Sequence, residues 1–421
     1  MKLHLISISL LLLTITFSCK NKDMNQNAST AENPLLSSFT TPYGVPPFDL
    51  IKDEHYKPAF EAAMAIHKSE IDSIANITAA PDFNNTIVAL DGAGSMLSRI
   101  SNIFFNMTGA HTNDTLEKIS VEMAPVLTKH YDYIALHQKL FERVKSVWDN
   151  KASFQLNEEQ NELLEKTYKS FIRNGALLGS KEKEAITKIN EELSSLTVKF
   201  GQNTLAEVND FKLVIDKKED LKGLSQDLIS AAADAAKEQK MEGKWLFTLH
   251  NPSVMPFLQY AENRELRKKL WDAMQKKGNN GNKNDNNEII KKIASLRVQR
   301  ANLLGYPTHA HYVLEEQMAK NPDNVNKLLN ELWKPAISKA QKEAEEIQDF
   351  IKKEGGSFKL EPQDWRYYAE KIRQQKYALD ENEIKQYFSL ENVHQGVFST
   401  VQKLFGLTFK ERKDLPTYHP E

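Results

Sequence analysis

The chain is predicted to be mainly α-helical, with one small β element around residues 211–249. Three observations carry this. Apolar residues recur at three- and four-residue spacing along most of the chain, the repeat of one buried helix face. Glycine is scarce, 16 in 421 residues, so the helix pattern is seldom broken. Alternating, strand-like runs are few.

The elements follow in order. Tyr56, Phe60, Met64, His67, Ile71 and Ile74 mark a first helix with Pro58 in its opening turn. His67 lies on the apolar stripe and reads as a partly buried structural histidine. A second helix pattern covers residues 83–108, interrupted at Gly92 and Gly94, where a kink or a close crossing is expected. The turn Thr112-Asn113-Asp114 offers an N-cap to a helix through Leu116, Met123, Leu127 and Tyr133, continuing to about Trp148 with Pro125 inside it. Leu163, Leu164, Tyr168 and Phe171 form the next helix, ending near Gly175. Ile186, Ile189, Leu193, Leu196 and Phe200 form the most regular stripe, suited to a long packed helix or a short coiled coil.

The period then changes. Phe211–Asp216 and Lys244–Leu249 read as strands that can pair, separated by an alanine-rich helix at 225–239. One helical unit is expected from Asn251 through Leu266, Leu270 and Met274, then a surface loop at 278–287. Helix resumes from Ile289 to Leu304 and stops at Gly305. Asn321 opens a long helix through Leu332 and Ile347, closed by Gly355-Gly356, with a kink expected at Pro335. Helices near 362–377, 380–388 and 389–405 follow, and Leu407-Thr408-Phe409 begins to alternate as a strand would.

A net charge of −2 supplies no general attraction to nucleic acid, and none is predicted as a partner. The single cysteine, Cys19, excludes an intrachain disulfide. It follows Lys2, a short apolar run Leu5–Ile15 and Thr16-Phe17-Ser18, a pattern similar to a bacterial lipobox with threonine in the usual leucine position. The expectation is a lipoprotein signal at 1–18, lipid on Cys19, a flexible tether at 19–42 and a folded region at 43–421, anchored in the cell envelope and facing the periplasm. An ordinary secretory signal is the plainer alternative.

The search for chemistry is mostly negative. None of the 11 histidines opens an HExxH motif, which would place two zinc ligands and a general base on one helix face. His309-Ala310-His311 with Glu315-Glu316 is the nearest imitation, half a metal site at best. There is no GxSxG, no Walker loop and no GxGxxG. Asp364 with Arg366 and Glu370 with Arg373 are candidate local ion pairs. Tyr367-Tyr368 can face a peptide cleft or simply pack. No catalytic and no metal-ligating residue is assigned.

Three stretches nevertheless share one resemblance: Phe247–Ala273 (FTLHNPSVMPFLQYAENRELRKKLWDA), Ala301–Val325 (ANLLGYPTHAHYVLEEQMAKNPDNV) and the block beginning DWRYYAEK at Asp364. In this order and at these separations the chain resembles the M3 zinc peptidases, the thimet-oligopeptidase group, and within it the bacterial peptidyl-dipeptidases. The resemblance implies a mostly helical, zincin-like ellipsoid with a deep channel, a catalytic zinc on its floor, and release of C-terminal dipeptides from short peptides. It places the zinc ligands on an HExxH helix and a later glutamate, positions this sequence does not contain. The expectation is therefore a portion of such an enzyme, truncated before its catalytic core, binding no zinc and inactive alone. The rival expectation is a non-enzymatic helical lipoprotein that binds peptides or a protein partner.

Overall fold

The computed structural model describes residues 33–378 and 381–420. The signal segment, Cys19 and residues 19–32 of the expected tether lie outside the described residues. The rest of that tether is not a free linker. Leu35 is fully buried, Asn33 caps the Leu35 N–H at 3.0 Å and donates to the His55 carbonyl at 2.8 Å, and Arg99 donates to the Leu35 and Ser37 carbonyls. Leu35, Leu36 and Phe39 supply enough apolar surface to dock residues 33–42 on the first core.

That core is built by α1 (Asp53–Ala75), α3 (Ser95–Ala110) and α4 (Asp114–Ala135), with α2 (Ala89–Gly92) on the approach. Phe60, Leu97, Ile100, Phe104, Met123 and Leu127 meet there. The pattern at 83–108 is three pieces and not one helix: a π-helical turn Phe83–Val88, then α2, then α3. Gly94 makes the break. Its φ is +73°, its N–H donates to Glu70 at 2.8 Å, and a Cβ there would stand 2.5 Å from the His67 ring.

The helix expected to run to Trp148 also divides, into α4 and α5 (Gln138–Asp149). Asn113 caps the first as expected. His137 restarts the chain as an N-cap, its Nδ1 accepting from the Leu140 N–H at 3.2 Å, two residues after α4 ends at Ala135. Pro125 sits within α4 without ending it. Ile71 of α1, Phe141 and Val144 of α5, and Leu164 and Phe171 of α6 (Glu158–Arg173) form a second core.

α7 (Ser180–Asp210) packs on α4 and on α11 (Asn287–Leu303), so its regular stripe is satisfied within the chain: Ile189 and Leu193 meet Leu296. β1 (Leu213–Ile215) and β2 (Trp245–Phe247) pair antiparallel with Leu213 opposite Phe247, flanked by α8 (Gln226–Glu238). The single unit expected from Asn251 is two helices, α9 (Asn251–Tyr260) and α10 (Arg264–Gln275), because Asn263 caps the second at the Leu266 N–H. The 278–287 stretch is irregular, but Asn284 and Asn286 within it are buried; Asn203 of α7 donates to Asn286 at 2.9 Å and pins the loop.

α12 (His309–Leu314) and α13 (Pro322–Lys353) lead to α14 (Pro362–Tyr377), and α13 runs through Pro335 unbroken. Ile347 and Ile351 of α13 pack against Tyr368 of α14. α15 (Glu381–Lys385) and α16 (Leu390–Phe405) complete the helices. Leu407–Phe409 is not a strand. No described strand lies beside it, and Phe409 instead stacks on Phe398 at 4.1 Å. The outer side of α13 leaves Leu328, Leu329, Leu332 and Trp333 exposed. Among the described residues no helix is long and apolar enough to cross a membrane.

Candidate functional site

The most elaborate polar arrangement joins α10 to the first turn of α14. Asp364 stands at the third position of α14 and accepts the Glu361 N–H at 3.2 Å, closing a capping box. Its carboxylate is wholly buried. Arg264 reaches it through Nε at 3.0 Å and Nη2 at 2.8 Å, and Arg267 through Nη2 at 3.0 Å. Arg267, only 1% exposed, also donates to the Ala261 and Glu262 carbonyls that close α9, so one guanidinium ties together three segments. Tyr367 covers the Arg267 guanidinium at 4.2 Å, and Phe358 covers that of Arg264 at 4.3 Å.

This corrects the expected Asp364–Arg366 pair. Residues two apart on a helix point to different sides, and Asp364 turns inward to α10 while Arg366 faces out. The Glu370–Arg373 pair does form, at 2.8 Å, and Gln259 of α9 adds a donor at 3.1 Å. Burial acts to raise the Glu370 carboxyl, but Arg373, Gln374 and Gln259 outweigh it and hold it below the usual glutamate value. Tyr368 packs into the core, and Tyr367 is spent on Arg267.

Beside this joint lies a hollow of about 600 Å³ walled by Trp271 and Trp365, with Gln259, Arg366, Glu370 and Arg373 as its polar groups. Two indoles with a fork of donors and one carboxylate can hold a short peptide by stacking and hydrogen bonds. The Glu370 oxygens already accept from Arg373, Gln374 and Gln259, which makes this carboxylate a weak base toward water. The two tryptophans were not singled out in the sequence. Their spacing gives no local signal; they line one hollow because α10 and α14 pack together, joined by Arg267 and Asp364.

The partial metal motif comes apart. Glu315 is held by the Arg173 guanidinium and by the Tyr306 hydroxyl, the latter at 2.5 Å. Those partners keep its carboxyl below the usual value, and burial with the Glu315 bond pushes the Tyr306 hydroxyl up to about 12. His311 turns to the Thr308 hydroxyl at 2.9 Å. His67 acquires a neighbour that its sequence surroundings do not announce: His130 Nε2 lies 3.0 Å from its Nδ1. Among the described residues, no three His, Cys, Asp or Glu side chains form a group that could hold a metal ion.

Residues 257–421 match the model of peptidase family M3, and this stretch contains the whole Arg264–Arg267–Asp364 joint. The chain is similar to members of peptidase family M3 over most of its length. It is 38% identical over 393 residues to a dipeptidyl carboxypeptidase of Escherichia coli (strain K12), covering 93% of this chain and 58% of the relative. A Salmonella typhimurium dipeptidyl carboxypeptidase is also 38% identical, with 92% and 57% covered. The oligopeptidase A of that organism is 30% identical, with 92% and 57% covered. The chain thus spans less than two thirds of the length of those relatives. Family M3 enzymes are zinc metallopeptidases. The described residues do not fit a catalytic zinc: the 421 residues contain no HExxH, and the partial motif spends its glutamate on an arginine.

Proposed function

We propose that this chain is the helical, peptide-holding portion of a secreted M3-type peptidyl-dipeptidase, and that it does not hydrolyse peptides by itself. The observation that carries the reading is the Trp271–Trp365 hollow, seated on a buried ion-pair joint inside the matched region. Similarity to dipeptidyl carboxypeptidases over nearly the whole chain supports short peptides as what it holds. The uncovered apolar side of α13, with Leu328, Leu332 and Trp333 each more than half exposed, supports a role as a wall against which zinc-bearing sequence packs.

Titrating the 421-residue chain with short peptides while following tryptophan fluorescence tests the holding role. Saturable change is expected, weakened about tenfold by Trp365→Ala through loss of stacking surface. Peptide titrations without saturation, or an unchanged affinity in that variant, contradict it.

The lipobox-like pattern at Cys19 supports lipid attachment and a periplasm-facing position as part of the same proposal. Mass spectrometry of the N-terminus and membrane fractionation of Cys19→Ser check this. Release of the variant from the membrane is expected; equal membrane retention contradicts it.

A further inference from the structure

A second cavity, about 550 Å³, lies between α4, α7, α11 and α12. Its walls are apolar, with Phe105, Leu127, Ile186 and Leu193 among them. Its charged lining groups are all cationic: Arg173, Arg297 and Arg300. Arg173 is already committed to Glu315, Tyr306 and the Tyr312 carbonyl. The other two are not. Arg297 makes no hydrogen bond or ion pair among the described residues. Arg300 has one long contact, 3.4 Å to the Asn190 side chain, and its Nε is buried without a partner.

These two guanidiniums stand three residues apart on α11, hence on one face, with no carboxylate within ion-pair distance of either. The nearby carboxylate, Asp132 of α4, is turned to the Asn190 amide at 2.9 Å. Asn190 therefore gives its N–H₂ to Asp132 and leaves its oxygen to Arg300. The Tyr312 ring stacks near two guanidiniums, its centroid 4.6 Å from the Cζ of Arg173 and 5.3 Å from the Cζ of Arg300. Two guanidinium forks without a carboxylate partner, lining an apolar cavity, match one chemistry: a planar carboxylate, held by charge-assisted bonds, carrying an apolar group that fills the interior.

We propose that this cavity binds a carboxylate attached to an apolar side chain, either the free C-terminus of a short peptide or a small free carboxylic acid. Binding here does not depend on zinc or on the hollow beside Trp365. Isothermal titration calorimetry on the 421-residue chain tests it with three probes: N-acetyl-Ala-Leu, the same peptide as its C-terminal amide, and 4-phenylbutyrate. Saturable binding of the acid peptide is expected, weakened about tenfold or more by the terminal amide and by Arg297→Gln/Arg300→Gln, because the charge-assisted bonds are lost. Tight binding of 4-phenylbutyrate as well assigns the site to free acids, and binding of the peptide acid alone assigns it to peptide C-termini; both support the proposal. Equal affinity for acid and amide overturns it, as does failure of the peptide acid to saturate. Arg297→Gln alone, a change at an exposed side chain, provides a folded control in which affinity must still fall.

Discussion

The carboxylate of Asp364 and the guanidinium of Arg267 meet at 3.0 Å across 97 residues of sequence, both essentially shut off from water. Neither charge is tolerable there alone. Their pairing, with Arg264 as a second donor, is what sets α10 against α14 and forms the tryptophan-walled hollow between them.

Removing the anion strands the buried Arg267 guanidinium, while the partly exposed Arg264 keeps its ion pair with Glu361. Asp364→Asn is expected to cost about 3 to 5 kcal/mol in urea unfolding, the usual consequence of stranding a buried charge. Adding Arg267→Met to that variant is expected to restore part of the loss, since the stranded cation goes with it. A change below 1 kcal/mol in the single variant contradicts the assigned role of the joint.

Gly94 holds a left-handed φ of +73° against the face of the His67 ring. Gly94→Ala is expected to destabilise by about 1 to 3 kcal/mol, from backbone strain and from the displaced imidazole. Part of that cost is steric, so the same substitution in a His67→Ala background is expected to cost less. Equal costs in the two backgrounds contradict the contact as the cause.

The His67–His130 pair and Asp132 make opposite contributions below neutral pH. Burial, and then the neighbouring His67, push His130 down from 6.5 to about 4; burial lowers His67 as well, against the pull of Glu70. The unfolded chain therefore binds more protons on these rings, and their contribution to stability, full above 6.5, is lost as pH falls through about 4. Burial pushes Asp132 from 3.8 up to about 6, so its contribution is full below 3.8 and is lost as pH rises through about 6. Between pH 4 and 6, unfolding free energy in His130→Asn is expected to rise less steeply with pH than in the parent, and in Asp132→Asn more steeply. Shifts of the opposite sign contradict the assignment.

The helical fold was legible because its signal is local. Phe60 with Ile71, and Ile189 with Leu193, announce buried faces by spacing alone, and the 211–249 pair announces itself by a change of period. The interruptions were not legible at Leu136–His137 or at Ala261–Asn263. There the apolar spacing continues, and the break is decided by one side chain capping a new helix. Docking of residues 33–42 was hidden because short apolar anchors in a polar stretch look like a linker until a groove receives them. The site was least legible: Asp364 chose arginines about a hundred residues away over the one beside it, and His67 found its partner 63 residues on. Family kinship, by contrast, was carried by ordered blocks along the chain, which survive without any knowledge of contacts.

The central claim is that these residues hold peptides without owning the metal centre that cleaves them. It is tested most directly by measuring zinc content and dipeptide release on the same purified 421-residue sample, with a C-terminally free oligopeptide as substrate and zinc supplied. The account predicts substoichiometric, easily dialysed zinc and no dipeptide above background. One tightly held zinc per chain, together with sustained dipeptide release abolished by a chelator, would contradict it.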